Sequence, residues 1–248
     1  MHRFFINHKN IKENKVIIKG NDYKHLAYSL RLKKGDQFIV CSGDGKEITV
    51  ELIKFYDNKV EGKIIKKSKS ENEPQLKITL AQAIPKNRNM ELVVQKCTEI
   101  GVNTIIPLNT KRTIVKLTEK KEKKRINRWQ RIAREAAKQS QRAIIPKITE
   151  VKTLKSLNNN LEIYDNVFCF WTGDNSSNIR NKISNSEFIN KQLLILIGPE
   201  GGFSKKEINF IRKNLNGDIL SLGPRILRTE TAGIVVPALI LHEAGEME

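Results

Sequence analysis

The chain of 248 residues has few of the groups that announce hydrolytic or metal chemistry. Its three cysteines, Cys41, Cys97 and Cys169, lie far apart, and no C-x-x-C spacing occurs. That excludes a disulfide framework and predicts free thiols in a reducing, cytoplasmic setting. The histidines (His2, His8, His25, His242) show no ligand spacing, so no protein-held metal is expected. Nor do they offer a nucleophile–histidine arrangement for hydrolysis. Aromatic residues make up only 6% of the chain, too few for an extended base-stacking platform. No apolar run approaches the roughly 18 residues of a membrane-spanning helix. The longest runs, 193–197 and 234–241, have the length of buried elements. The N-terminus lacks the apolar stretch of a signal peptide, so no membrane partner is expected. Negative charge is the scarce sign. Against 27 Asp and Glu stand 45 Lys and Arg, a net charge of +18. A field of that sign points to a polyanion, and nucleic acid is the first candidate.

With 39% hydrophobic and 29% charged residues, the chain is globular rather than disordered. Short β-patterned runs at 3–6, 15–19, 37–42, 47–55 and 59–66 are separated by Gly-Asn-Asp and Ser-Gly-Asp-Gly turn signals. One helix is expected from Asp22, as N-cap, to about Leu32. Residues 1–70 thus read as a small β barrel, and 66–74, polar and ending in Pro74, as a linker. From Leu76 onward strands alternate with helices. Strands are expected at 76–84, 104–107, 113–116, 167–171, 193–197 and 218–221. Helices are expected at 90–100, 119–141, 204–214 and 231–244. The segments 158–160 and 174–187 read as exposed loops. This alternation implies an α/β domain over 71–248 with a parallel sheet.

Three constellations carry chemistry. In Gly198-Pro199-Glu200-Gly201-Gly202-Phe203, a buried strand runs into a glycine-rich turn. Ser204-x-x-Glu207 then opens a helix as a capping box. Such turns at the C-terminal edge of a parallel sheet hold small ligands. The spacing fits neither a P-loop nor a dinucleotide fingerprint, and a tight strand-to-helix turn explains it equally well. In Leu222-Gly223-Pro224-Arg225-Ile226-Leu227-Arg228-Thr229-Glu230-Thr231-Ala232, Arg228 adds to the positive end of the last helix. That combination suits an anionic or electron-rich group, while Thr229 and Glu230 also read as helix-capping residues. The third constellation is a run of Lys and Arg from Lys120 to Arg142, a solvated face in most proteins. The overall charge turns that reading towards phosphate contact. Arg3, Lys24, Arg31, Lys33 and Lys34 add basic groups to the barrel, and small β barrels commonly hold RNA on one face. Pro85-Lys86-Asn87-Arg88 also follows a strand's C-terminal edge.

With Arg3-Phe4-Phe5, Leu30-Arg31-Leu32 before Gly35-Asp36, and Pro85-Lys86 with Met90-Glu91, the chain resembles a known family. Lys96-x-Thr98-Glu99-Ile100-Gly101-Val102, Arg134-Glu135-Ala136 with Gln139-Ser140-x-Arg142, and the two glycine motifs complete the resemblance. It is to the 16S ribosomal RNA (uridine-N3)-methyltransferase family, the ribosomal small subunit methyltransferase E group of the SPOUT superfamily, over essentially the full length. It departs at His2 and around Gln141-Arg142-Ala143, where a more basic cluster is usual.

The resemblance implies an α/β fold: a SPOUT-type domain with a C-terminal trefoil knot, at roughly 165–235, preceded by a small PUA-like β-barrel RNA-binding domain. It implies a homodimer that methylates small-subunit rRNA with S-adenosylmethionine as cofactor. The cofactor-binding residues expected are Gly198, Pro199, Glu200, Gly201, Leu222, Gly223, Ile226, Leu227 and Thr231. Arg228 is expected to stabilise the charge on a deprotonated uridine imide, with Glu230 orienting it or accepting the N3 proton. Arg3, Arg31, Lys86, Arg128 and Arg142 are expected on RNA phosphates. The target uridine must be unpaired or extruded, since pairing occupies N3. Two other readings remain at this stage. One is a non-catalytic RNA-binding or ribosome-assembly protein; the other is a SPOUT methyltransferase acting on tRNA.

Overall fold

In a computed structural model, which describes residues 1–173, 176–179, 182 and 190–247, the polar–apolar alternation at 47–53 builds one wall of a core. Ile48, Val50 and Leu52 are buried there, while Glu47, Thr49 and Glu51 lie on the other face. The chain divides into two compact units. One is Met1–Glu73 with Ala137–Ile145, the other Pro74–Ala136 with Pro146–Glu248. Ala137–Ile145 was expected in the second domain.

The first unit is a curled half-barrel of β1 (Arg3–Phe5), β2 (Lys15–Lys19), β3 (Gln37–Cys41), β4 (Lys46–Tyr56) and β5 (Lys59–Lys69). The strand order is β1-β3-β4-β5-β2, with β1 and β3 parallel and the other pairs antiparallel. Register shifts between Thr49 and Val50 and between Leu52 and Lys54 bend the β4–β5 ribbon. At Gly62 a Cβ would lie 2.2 Å from Val50 Cγ1, so only glycine fits that inner curve. Phe4, Leu26, Phe38, Val40 and Val60 fill the interior, Phe4 meeting Phe38 edge-on at 5.6 Å. Helix α1 (Gly20–Lys24) starts before Asp22, with Lys19 at its N-cap, and continues as a π-helical turn over His25–Ser29. Asp22 is therefore within the helix, and its carboxylate pairs with Lys138 at 3.1 Å.

The linker expected at 66–74 is not a solvated one. Strand β5 runs on to Lys69, Ser70 is buried, and the Glu73 side chain is only 5% exposed. The Glu73 carboxylate accepts from Arg142 Nη2 at 2.8 Å and from the backbone N–H groups of Ala143 and Ile144 at 2.8 and 2.9 Å. Arg142 is thereby sealed in, at 2% exposure. Arg3 is similarly buried. Its Nη1 lies 2.8 Å from Glu47 Oε1 and 3.2 Å from Cys41 Sγ. Neither guanidinium can reach a phosphate, which corrects the expectation that Arg3 and Arg142 contact RNA. Burial works against the charge of Glu47, yet hydrogen bonds from Arg3 and Ser70 outweigh it and hold the carboxyl below its ordinary value.

The second unit contains β6 (Lys77–Ala83), α2 (Asn89–Ile100), β7 (Thr104–Asn109), and α3 (Glu119–Gln139), whose last residues join the first unit. Then follow β8 (Lys147–Ile148), β9 (Lys152–Thr153), α4 (Leu154–Leu157), β10 (Asn166–Phe170) and β11 (Ser177–Asn178). The chain ends with β12 (Gln192–Ile197), α5 (Lys205–Asn214), β13 (Asp218–Ser221) and α6 (Thr229–Glu243). Among the described residues the sheet order is β11-β13-β10-β12-β6-β7-β8, with β9 also on β7, and every pair is parallel. Parallel pairing puts all strand C-termini on one edge.

No strand forms at 113–116; Thr113 instead closes a turn on Thr110. Residues 158–160 lie in a 3₁₀ stretch, Asn158–Ile163. Most of 174–187 falls outside the described residues. No helix among them is long and apolar enough to cross a membrane.

The cysteines are buried thiols, and burial raises the pKa of each, that of Cys41 to about 11. Cys97 has a structural task. Pro237, inside α6, has no N–H for the carbonyl of Gly233, and Cys97 Sγ donates to that carbonyl at 3.2 Å.

Candidate active site

A cavity of about 670 Å³ opens at the C-terminal edge of the parallel sheet. That lies within the size range of small-molecule sites. The turns after β6, β7, β10, β12 and β13, with the first turn of α6, form its walls.

Each turn is held by specific bonds. After β12, Gly202 (φ +64) takes a left-handed conformation, and its N–H donates to Pro199 O at 2.8 Å. Ser204 caps α5. Its Oγ accepts from Glu207 N–H, and its own N–H donates to Glu207 Oε2 at 2.8 Å. Neighbouring turns clamp the loop. Lys86 N–H donates to Glu200 Oε1 at 2.9 Å, and Arg112 Nη1 donates to Gly201 O at 2.6 Å. Lys111 N–H donates to Glu207 Oε1 at 2.8 Å. After β13, Gly223 (φ +95) donates its N–H to Ser221 Oγ at 3.1 Å.

Gly198, Pro199, Glu200, Gly201, Leu222, Gly223, Ile226 and Leu227 all line the cavity, as do Arg228 and Glu230. Thr231 is not among the lining residues. A helix turns about 100° per residue, and here Glu230 and Ala232 reach the cavity while Thr231, half-buried, does not. Ile226 is 86% exposed at the cavity rim, an apolar side chain with no protein cover. Arg228 occupies the N-cap of α6 without a side-chain capping bond, and it is exposed. Thr229 does not cap the helix, contrary to the capping reading. Its hydroxyl donates to Gly198 O at 2.5 Å.

Of the residues expected on RNA, Lys86 is exposed and lines the cavity. Arg31 is exposed on the first unit, with a left-handed backbone (φ 53). Arg128 is exposed but paired with Glu91 at 2.8 Å. Sequence reasoning missed Arg112, Trp171 and Thr172 in the cavity wall. Trp171-Thr172-Gly173 follows an apolar parallel strand directly, so the strand-edge rule applied to β12 would have found it. Among the described residues, no group of three or more His, Cys, Asp or Glu side chains is placed to hold a metal ion.

Comparison with known proteins agrees with this arrangement. Residues 71–241 match the RNA methyltransferase domain family, and residues 18–65 the RNA methyltransferase PUA domain. The ribosomal RNA small subunit methyltransferase E of Bacillus subtilis (strain 168) is 34% identical over 98% of this chain and 97% of its own length. The protein of the same name from Mesomycoplasma hyopneumoniae (strain 232) is 36% identical over 94% of this chain and 96% of its own. A crystal structure of a ribosomal RNA small subunit methyltransferase E from Neisseria gonorrhoeae, bound to S-adenosyl methionine, matches with a TM-score of 0.84. It is 27% identical and covers 98% of this chain and 97% of that one. A half-barrel, a parallel sheet and a glycine-edged cavity thus stand where the matched families have a PUA domain and a methyltransferase domain. The chain belongs to the RNA methyltransferase family that includes the ribosomal RNA small subunit methyltransferase E proteins.

Proposed function

We propose that the chain methylates N3 of a uridine in the 16S rRNA of the small ribosomal subunit, with S-adenosylmethionine as methyl donor. The observation that carries this reading is the meeting of Arg228 and Glu230 with two glycine-rich turns around one cavity. The wall suits the cofactor. Leu222, Ile226 and Leu227 offer apolar surface to an adenine face, and the glycine turns after β12 and β13 bring backbone to the cavity wall for its polar edge. Glu200 and Glu230 place negative charge towards a cation. When bound, S-adenosylmethionine supplies a methyl group on a sulfonium sulfur.

The chain's own residues have three tasks. Lys86, at the cavity, and Arg31 and Arg128 hold RNA phosphates, so that an unpaired uridine can be presented. Arg228 faces the imide and stabilises charge on O2 or O4 as N3 gives up its proton to solvent water. Glu230 orients that guanidinium. The first unit acts as the RNA-binding domain and the second as the catalytic one. We further assign a homodimer, supported by α6: it carries no charged side chain between Glu230 and His242, and Leu239 is 40% exposed. A trefoil knot is supported by the return of the chain after β13, which brings Thr229 onto Gly198 and α6 onto β6 and β12. Ribosomal RNA as substrate places the protein in the cytoplasm.

Labelled methyl groups should pass from S-adenosylmethionine into small subunits isolated without this modification, and not into bulk tRNA. Label in tRNA alone would contradict the reading.

A further inference from the structure

One side chain in the second unit breaks the pattern of its strand. Strand β6 is buried from Ile78 to Ala83, and within it Gln82 is 0% exposed, next to the cavity-facing end. It pairs in register with Ile197 on β12 and Pro107 on β7. Its Nε2 donates to Thr229 Oγ1 at 2.8 Å and to Ala83 O at 3.1 Å. The Thr229 hydroxyl then donates to Gly198 O at 2.5 Å. A single hydroxyl thus ties β6, the glycine turn after β12 and the start of α6, and its one proton is committed to Gly198.

Two features show that this amide is costly to seat. Gln82 Oε1 is buried with no hydrogen-bond partner, whereas leucine or methionine there would bring in no polar atom of its own to satisfy. Moreover, a Cβ at residue 233 would lie 2.2 Å from that oxygen, so any residue larger than Gly233 would displace the amide from this position. Glycine is among the poorest helix formers. Both features cost stability, and both accompany this one amide. Among the described residues, the amide's one long-range hydrogen bond is to the hydroxyl between Arg228 and Glu230. No side chain caps α6, and that hydroxyl ties the helix start to β6 and to the turn after β12.

We propose that Gln82 and Thr229 form a positioning relay that sets Arg228 and the Gly198 carbonyl for cofactor binding and methyl transfer. The inference rests on the proposed methyltransferase reading. Neither residue reacts. They hold a helix start and a turn in one register, and a 1 Å misplacement at such a site costs rate steeply.

The test uses the full chain with Gln82→Met, Thr229→Val, Thr229→Ser and the Gln82→Met/Thr229→Val double variant. S-adenosylmethionine affinity (by calorimetry), kcat, melting temperature and amide hydrogen exchange in the first turn of α6 without cofactor are measured for each. Gln82→Met and Thr229→Val should each lower kcat and affinity by about tenfold, with the double variant no worse than either. Thr229→Ser, which keeps the hydroxyl, should return to within about twofold of the parent. Gln82→Met should melt no lower than the parent while exchange in the first turn of α6 speeds up, a combination that general loss of stability cannot produce. Parental kcat in Gln82→Met, additive losses in the double variant, or unchanged exchange would each overturn the relay. A parent that transfers no methyl group but shows the exchange changes would keep the relay and overturn the methyltransferase reading instead.

Discussion

Replacing Arg228 by alanine is expected to lower methyl transfer by about 10²–10³-fold, the usual result of removing a donor aimed at developing negative charge. The loss should appear equally in kcat and kcat/KM, because the imide acquires its charge only on the way to the transition state. Cofactor affinity and melting temperature should change little. Arg228 is exposed and makes no capping bond, so the helix start does not depend on its side chain. Arg228→Lys should recover only part of the rate, since an ammonium cannot present two parallel donors in a plane. Activity within threefold or so of the parent in Arg228→Ala would move the charge-stabilising role elsewhere, with Arg112 and Arg225 the other arginines in the cavity wall among the described residues.

The largest effect on stability is expected at Glu73. Glu73→Ala removes the carboxylate from an Arg142 side chain that is only 2% exposed, and takes the acceptor from the Ala143 and Ile144 N–H groups. Breaking one side of a buried pair costs about 3–5 kcal/mol. A domain's whole margin is about 5–15 kcal/mol. Thermal or urea unfolding of the full chain should therefore show the transition of the first unit shifted sharply down. Glu73→Leu combined with Arg142→Met should recover part of the loss, because an apolar pair replaces a broken ionic one; the two backbone donors stay unpaired. A transition unmoved by Glu73→Ala would mean that the pair is not closed in solution.

The contrast between Arg142 and Arg228 shows where sequence reasoning holds. Both arginines sit in basic or polar motifs. Arg228 follows a glycine turn and opens a helix, so its place at the sheet edge is set by local chemistry that the sequence displays. Arg142 is buried because Glu73, 69 residues away, folds onto it, and Arg3 because Glu47, 44 residues away, does the same. No periodicity carries such a pairing, and a polar stretch ending in proline reads as linker until its carboxylate is seen to be enclosed.

The strands were legible because burial alternates or persists along each of them, and α5 because its capping box is written in Ser204 and Glu207. Short strands such as β8 and β9, two residues each, carry too little pattern to be read. The cavity was legible on the two sides built from glycine motifs. Its Trp171 and Arg112 walls have no motif, and Gln82 is disguised as an imperfection in an apolar strand.

The central claim concerns one atom of one base, so nucleoside analysis of the product RNA tests it most directly. Small subunits isolated without the modification would be treated with the protein and S-adenosylmethionine, and their RNA digested to nucleosides and separated by mass. The account predicts N3-methyluridine, formed about 10²–10³-fold more slowly when Arg228→Ala replaces the parent at matched concentration. A methyl group on a ribose oxygen, on another base, or nowhere in the RNA despite bound cofactor would contradict it.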